Sequence, residues 1–384
     1  MRVIFLHTAR EWSGTARAFT RGARGLAERG VSVSMVIPPD SNVELAAGEP
    51  ASRLTPVHQQ KPLPYDLIPF TDEGFWYFAA RRLRKLFRRW DANAVFVTTD
   101  REHLIAATVC WMARRGAIVR RTPAGIKLEM SFSGRVASWL APTVFLFTNE
   151  ADRHAAVLPK RAPPQAVAEV GIDAQSYDVP EKSDAAPEEN AAAEGDTEPR
   201  PRYIVCVYDS SSRGRAATAI RCISMLAPRH PNLRLLIVGP GSDHEDLRMQ
   251  ASALRILHLV SFLGERDDQV SIMRDADLGW VVAEGDTAAY GILDLMALAK
   301  PLVASEVGVA QHYVANGISG TLYPADDSAS TAATVAALLG HDETRQAMGR
   351  AARTRVIRDF PESDMIEGFA RAAELAQKRS RQKA

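Results

Sequence analysis

The chain has 384 residues, of which 46% are hydrophobic and 24% charged, and its net charge is +1. That size suits two domains with separate cores, and the composition is that of an ordinary soluble protein. It excludes a bilayer-spanning chain, because the longest apolar run, around 139–147, is too short and contains Pro142.

The first half alternates apolar runs with helical patterns, the mark of a parallel α/β sheet. RVIFL (2–6) reads as a buried strand, and a helix from about Thr15 to Arg29 shows Phe19, Ala23, Leu26 and Ala27 at helical spacing before Gly30 stops it. Further strands are expected at 31–37, 93–99, 116–121 and 143–149. The run 75–90 sets Phe75, Ala79, Leu83, Leu86, Phe87 and Trp90 opposite Arg81, Arg84, Lys85, Arg88 and Arg89. Such a helix either contacts an anionic membrane peripherally or packs its stripe on the sheet as core; the second reading is preferred. No motif for nucleic acid accompanies the charge.

Residues 181–202, rich in Ala, Glu and Pro and without aromatics, cannot bury a core and read as a disordered linker. The alternation then restarts, with strands at 202–208, 233–239, 257–264 and 277–282 and a helix at about 215–226. An acidic loop from Glu284 leads to a helix expected near Tyr290, a strand at 301–304 and another ending at Tyr323. Two amphipathic helices, about 343–358 and 362–378, close the chain.

Charge is unevenly spread. Lys and Arg number 24 against 16 Asp and Glu through Asp173, then 23 against 30. A basic half suits a phospholipid surface or a phosphorylated acceptor, although drift in surface charge gives the same count. Cys110, Cys206 and Cys222 have no zinc-like spacing, and their odd number argues for a reducing compartment. The apolar start VIFL is too short for a signal peptide, so a cytoplasmic protein is expected.

Strands that open into glycine-bearing turns place ligand groups at the carboxyl ends of α/β sheets. LHTAREWSGTAR (6–17) holds Ser13-Gly14, and YDSSSRGRAA (208–217) holds Arg213-Gly214 with Arg215 close by. An arginine there can neutralise a phosphate by a two-pronged contact. Glu284 to Asp326 combines a helix N-terminus, which favours anions, with Asp286 and Asp294, whose carboxylates can accept sugar or ribose hydroxyls. Asp286 or Thr287 also suits a helix N-cap.

The run DLMALAKPLVAS…VGVAQHYVANGISGTLYPAD (294–326) resembles the donor-binding motif of family 4 retaining glycosyltransferases. VAEVGIDAQSYDVP (167–180) and LVSFLGERDD (259–268) are similar to two further segments of that family. The resemblance implies the GT-B fold: two Rossmann-like doubly wound domains facing a cleft, with the last helix crossing back to the first domain. The implied domains are 1–180 for the acceptor, the linker 181–202, 203–360 for the nucleotide sugar, and 361–384 for the crossover helix and tail.

The implied activity is hexosyl transfer from a nucleotide-diphosphate sugar, with retention, without a metal and with no cofactor beyond that co-substrate. The acceptor would be a glycan or lipid-linked molecule, at the cytoplasmic side of a membrane if the protein is peripheral. Asp286 and Arg213 are the catalytic candidates. Gly14, Arg213, Arg215, Gly264, Glu265, Asp286, Thr287, Tyr290, Gly291 and Asp294 would bind donor, Asp294 through the ribose. Ser13, His103, Arg120 and Arg121 are the acceptor-side candidates, and for His7 and His103 a structural hydrogen bond is the preferred role. The family has Glu where Asp286 and Asp294 stand, while Glu284 keeps the residue type two positions early. A non-catalytic binding or scaffold protein and a nucleotide-sugar epimerase are the alternatives.

Overall fold

A computed structural model describes residues 1–48, 64–71, 74–158, 163–177, 200–241, 245–266, 268–306, 308–324 and 327–383. Of the predicted linker 181–202, all but the last three residues lie outside these. Two compact units emerge: Met1–Ile172 with Gly285–Tyr290 and Phe360–Ala384, and Asp173–Glu284 with Gly291–Asp359.

The first unit is built on a parallel sheet of seven strands: β1 (Arg2–Leu6), β2 (Ser32–Ile37), β3 (Asp66–Pro69), β4 (Ala94–Val97), β5 (Ala117–Arg121), β6 (Thr143–Phe147) and β7 (Gln165–Val167). Their order is β3-β2-β1-β4-β5-β6-β7. Continuous apolar runs form the inner strands because helices cover both faces. On one face the helix Gly14–Glu28 and the final helix Glu362–Lys383 pack with Phe5, Phe96 and Phe369 in one core. On the other, the helices Trp76–Trp90 and Asp100–Ala113 bury Leu83, Phe87, Ile105 and Val109 against Ile4 and Val95.

Ala79, Leu83 and Phe87 of the 75–90 stripe are therefore core, as preferred, whereas Phe75 at its start is 59% exposed. Residues 361–384 do return to the first unit as a helix, and Phe369 lies 6.0 Å from Phe5 and 5.6 Å from Phe96, centroid to centroid.

The second unit has six parallel strands: β8 (Arg202–Val207), β9 (Leu233–Val238), β10 (Val260–Gly264), β11 (Leu278–Val281), β12 (Leu302–Ser305) and β13 (Thr321–Tyr323), ordered β10-β9-β8-β11-β12-β13. Its core centres on Trp280, fully buried, whose indole N–H donates to the Tyr323 hydroxyl at 2.6 Å. Both sheets are doubly wound, with the strand order reversing beside β1 and beside β8. The expected pair of Rossmann-like α/β folds is present. No helix among the described residues is long and apolar enough to cross a membrane.

Close packing of the last helix on the first unit depends on Gly368, where a Cβ would stand 2.3 Å from the Val167 carbonyl oxygen. Gly368→Ala is expected to destabilise this unit by about 1–3 kcal/mol. Gly340→Ala, whose Cβ meets nothing within 4 Å, serves as control. Urea titration followed by circular dichroism reads the difference.

Candidate functional site

The helix Gly285–Ala297 begins five residues earlier than the sequence suggests. Residues through Tyr290 cluster with the first unit and those from Gly291 with the second.

In the first unit, Asp286 meets the end of β5. Its carboxylate is 2% exposed and Arg121 is fully buried. Arg121 donates two parallel bonds, Nη1 to Oδ2 at 2.5 Å and Nη2 to Oδ1 at 2.9 Å. The Ala124 amide adds a third at 3.0 Å and the Thr15 hydroxyl a fourth at 2.8 Å. Burial pushes the carboxyl pKa up, but the Arg121 charge and these donors prevail and hold it below the ordinary carboxylate value. An acid so enclosed has no lone pair turned toward a sugar. Where the sequence suggests a donor-side acid at Asp286 and an acceptor-side arginine at Arg121, the two form a buried ion pair.

Gly14 belongs to the same arrangement. Its amide donates to Thr287 Oγ1 at 3.2 Å, and a Cβ would stand 2.3 Å from the Asp286 carbonyl carbon. Glycine is required here for a backbone-to-backbone approach. Ser13 caps its own helix, accepting from the Ala16 amide. Tyr290 is buried, with the Arg17 guanidinium 4.2 Å from its ring centroid.

The other first-unit candidates are also enclosed. Arg120 donates to Asp100 at 3.1 Å; burial lowers its pKa against the opposing charges of Asp100 and Glu102. His103 is 1% exposed and shares a hydrogen bond with Thr143 Oγ1 at 3.2 Å. Burial, with the Arg120 charge beside it, lowers its pKa to about 3, so the imidazole is neutral and structural. His7 is buried as well, and burial lowers its pKa against the pull of Glu102. Between β1 and β4, where the strand order reverses, Glu102 accepts from the Thr8 amide and hydroxyl at 2.8 and 3.0 Å.

The reversal point of the second sheet is braced in the same way. Asp209, after β8, accepts from the Glu284 amide, after β11, at 2.7 Å. It also organises the turn 210–212 by accepting from the Ser211 amide and hydroxyl. The helix Arg213–Leu226 starts here, and its first turn carries both arginines. Arg213 meets Asp246 at 3.1 Å on the surface. Arg215 binds the Val282 carbonyl at 2.7 Å and Glu284 at 2.7 Å.

The Glu284 side chain is 51% exposed, in contrast to Asp286. Gly264 ends β10 on the same edge and Glu265 follows it, and the Gly239 amide donates to the Gly264 carbonyl at 2.9 Å. Gly291 lies against Val207. Asp294 is 3% exposed and accepts from the Tyr177 hydroxyl, so the expected ribose contact is not met by a free carboxylate.

The sequence reading missed Thr15, Ala124, Tyr177 and the brace by Asp209. The only signal for the first two was an arginine pair ending an otherwise apolar strand. Among the described residues no group of three or more His, Cys, Asp or Glu could hold a metal ion.

Both units thus have the doubly wound, Rossmann-like α/β architecture, with ligand-type turns at the carboxyl edge of the second. Residues 188–355 match the family model described as "Glycosyl transferases group 1". The chain is 34% identical over 154 residues to a phosphatidyl-myo-inositol mannosyltransferase of Mycolicibacterium smegmatis; the match covers 39% of this chain and 39% of that protein. It is also 34% identical over 139 residues to a D-inositol 3-phosphate glycosyltransferase of Corynebacterium efficiens, covering 34% of this chain and 33% of the other. The chain thus spans about two fifths or less of these relatives' length. In fold it is similar to Anabaena HepE, solved in complex with UDP and glucose, with a TM-score of 0.74 and 16% identity across 97% of this chain and 99% of the other.

Asp286→Asn leaves Arg121 buried without a counter-charge and is expected to cost the first unit roughly 3–5 kcal/mol. The double change Arg121→Met with Asp286→Leu should restore most of that stability. Denaturation midpoints of the three proteins decide it.

A pH dependence follows from His103. Between about pH 6.5 and 3 the unfolded chain binds a proton that the folded chain refuses. The His103 contribution is complete above 6.5 and is lost as pH falls. His103→Asn should flatten this slope between pH 7 and 5, and imidazole NMR signals of the wild type should show one ring that stays neutral throughout. A His103 ring titrating near 6.5 sinks the assignment.

Proposed function

We propose that the protein is a glycosyltransferase that moves a hexose from a nucleotide-diphosphate sugar to a glycan or lipid-linked acceptor, with retention and without a metal ion. The observation that carries this reading is the carboxyl edge of the second sheet. There Arg213 and Arg215 stand on the first turn of a helix within the segment that matches the glycosyltransferase family. Two guanidinium groups and a helix dipole suit the charge of a departing diphosphate.

Arg213 would exchange its surface partner Asp246 for a phosphate oxygen, while Arg215 is already oriented by the Val282 carbonyl. Glu284, rather than Asp286, is the carboxylate open to a sugar hydroxyl. Gly264 and Glu265 would frame the nucleotide from the neighbouring strand. The acceptor is assigned to the carboxyl edge of the first sheet, where Arg120 keeps one nitrogen, Nη1, without a hydrogen-bond partner. The leaving phosphate would help take the acceptor proton, so no separate general base is required.

A second reading, nucleotide binding without turnover, is favoured by one observation: the acid at the motif position is consumed by Arg121. The purified protein is therefore assayed against a panel of nucleotide sugars, with mass spectrometry of products and nucleotide-induced thermal shifts. Transfer or donor hydrolysis supports the enzyme. A thermal shift without turnover supports the binding protein, and neither signal removes both readings. In an active enzyme, Arg215→Ala is expected to lower kcat/KM about 100- to 1,000-fold. Glu284→Gln should reduce kcat while leaving nucleotide affinity in place.

A further inference from the structure

The amino ends of the first sheet carry a surface distinct from the edge described above. Gly116 precedes β5 and Pro142 precedes β6, and both line a groove of about 510 Å³. Its walls include Arg84, Trp111, Arg114, Arg115 and Leu140, and no acidic side chain lines it among the described residues. Arg84 Nε and Arg115 Nε and Nη2 have no hydrogen-bond partner, although Arg115 Nη1 pairs with Asp91. Buried N–H donors in folded proteins are nearly always satisfied. These three nitrogens lie below the surface, and Arg115 also stands over the Phe87 ring, so they lend the groove positive potential rather than open donors.

Aromatic exposure coincides with this charge. Trp111 is 57% exposed, and Trp139, lining an adjoining groove that shares Pro142, is 80% exposed. Arg88 and Arg89 are exposed on the helix that carries Arg84. The Gly116 amide donates to Ser380 Oγ at 3.0 Å, which brings the basic C-terminal turn with Lys378, Arg379 and Arg381 to the same edge.

We propose that this edge docks on an anionic phospholipid bilayer, with Trp111 and Trp139 at headgroup depth and Arg84 and Arg114 receiving lipid phosphates. An indole ring has an apolar body and one N–H, which suits the layer between acyl chains and water. Arginines beside it gain from the negative surface potential of the leaflet. The surface uses the opposite end of the sheet from the ligand edge and does not depend on sugar transfer.

The full chain is sedimented with phosphatidylcholine vesicles, with or without phosphatidylglycerol. Binding to the anionic vesicles alone is expected, weakening as salt is raised. Trp111→Ser with Trp139→Ser should abolish it, and Arg84→Gln and Arg114→Gln should each lower the partition coefficient about fivefold. Phe75→Ser with Phe78→Ser, exposed aromatics near the other end of the first of these helices, should bind as wild type. Brominated lipids should quench wild-type indole fluorescence, a readout independent of how any variant folds. The proposal is overturned if the wild type stays in the supernatant or is not quenched. Equal binding to neutral vesicles, wild-type binding by the double tryptophan variant, or tighter retention by duplex DNA than by the vesicles overturns it as well.

Discussion

Two opposite charges taken wholly out of water organise the first unit. Arg121 and Asp286 are tolerable in that interior only because the carboxylate receives four donors and the guanidinium meets it two-pronged. Geometry around the pair is correspondingly demanding. Thr15 and Gly14 sit on one helix start and Asp286 and Thr287 on another, and the two backbones approach so closely that no side chain fits at position 14. The pair, the glycine and the threonines therefore form one unit of constraint. An aspartate suits it because a longer side chain would push the two helix starts apart.

The same constraint divides the work of the acids near position 285. Asp286 is enclosed and holds structure. Glu284, two residues earlier and outside the helix, remains half in water beside Arg215. Asp209 fixes the backbone between them through the Glu284 amide. At the carboxyl edge of the second sheet the exposed acids are thus Glu284 beside Arg215 and Asp246 beside Arg213, rather than the spaced pair that the motif implies. The chemistry proposed for this edge rests on that local arrangement.

The inner strands were legible in the sequence because parallel strands buried on both faces read as unbroken apolar runs. RVIFL and LRLLIV are examples. The edge strand DLIP was not, being four residues long and half exposed, and QAV is shorter still. The start of the helix at Gly285 was misplaced because EGDT is polar, and polarity there reflects a buried ion pair rather than a loop. Charge counts cannot tell a solvated arginine from an enclosed one. The sequence AIVRR offered a clue: successive strand residues point to opposite faces, so each arginine needs its own partner. Arg120 finds Asp100 and Arg121 finds Asp286. Both partners are distant in sequence, which is why pattern alone does not reveal them.

These pairings also locate the positive charge of the first half. At the carboxyl ends of β5 the arginines are neutralised, so they add little to the external field. Exposed positive charge is carried by the helix Trp76–Trp90, by Arg114 and by the C-terminal turn. A parallel sheet naturally separates these two edges, since ligand-binding turns follow strand ends and the opposite ends are left to short, tight connections. Selection for a ligand at one edge therefore places little demand on the residues at the other. Exposed Trp111 and Trp139 would be a solubility cost there without a partner. Their position beside the basic groove gives both the charge asymmetry and the exposed indoles a single physical explanation.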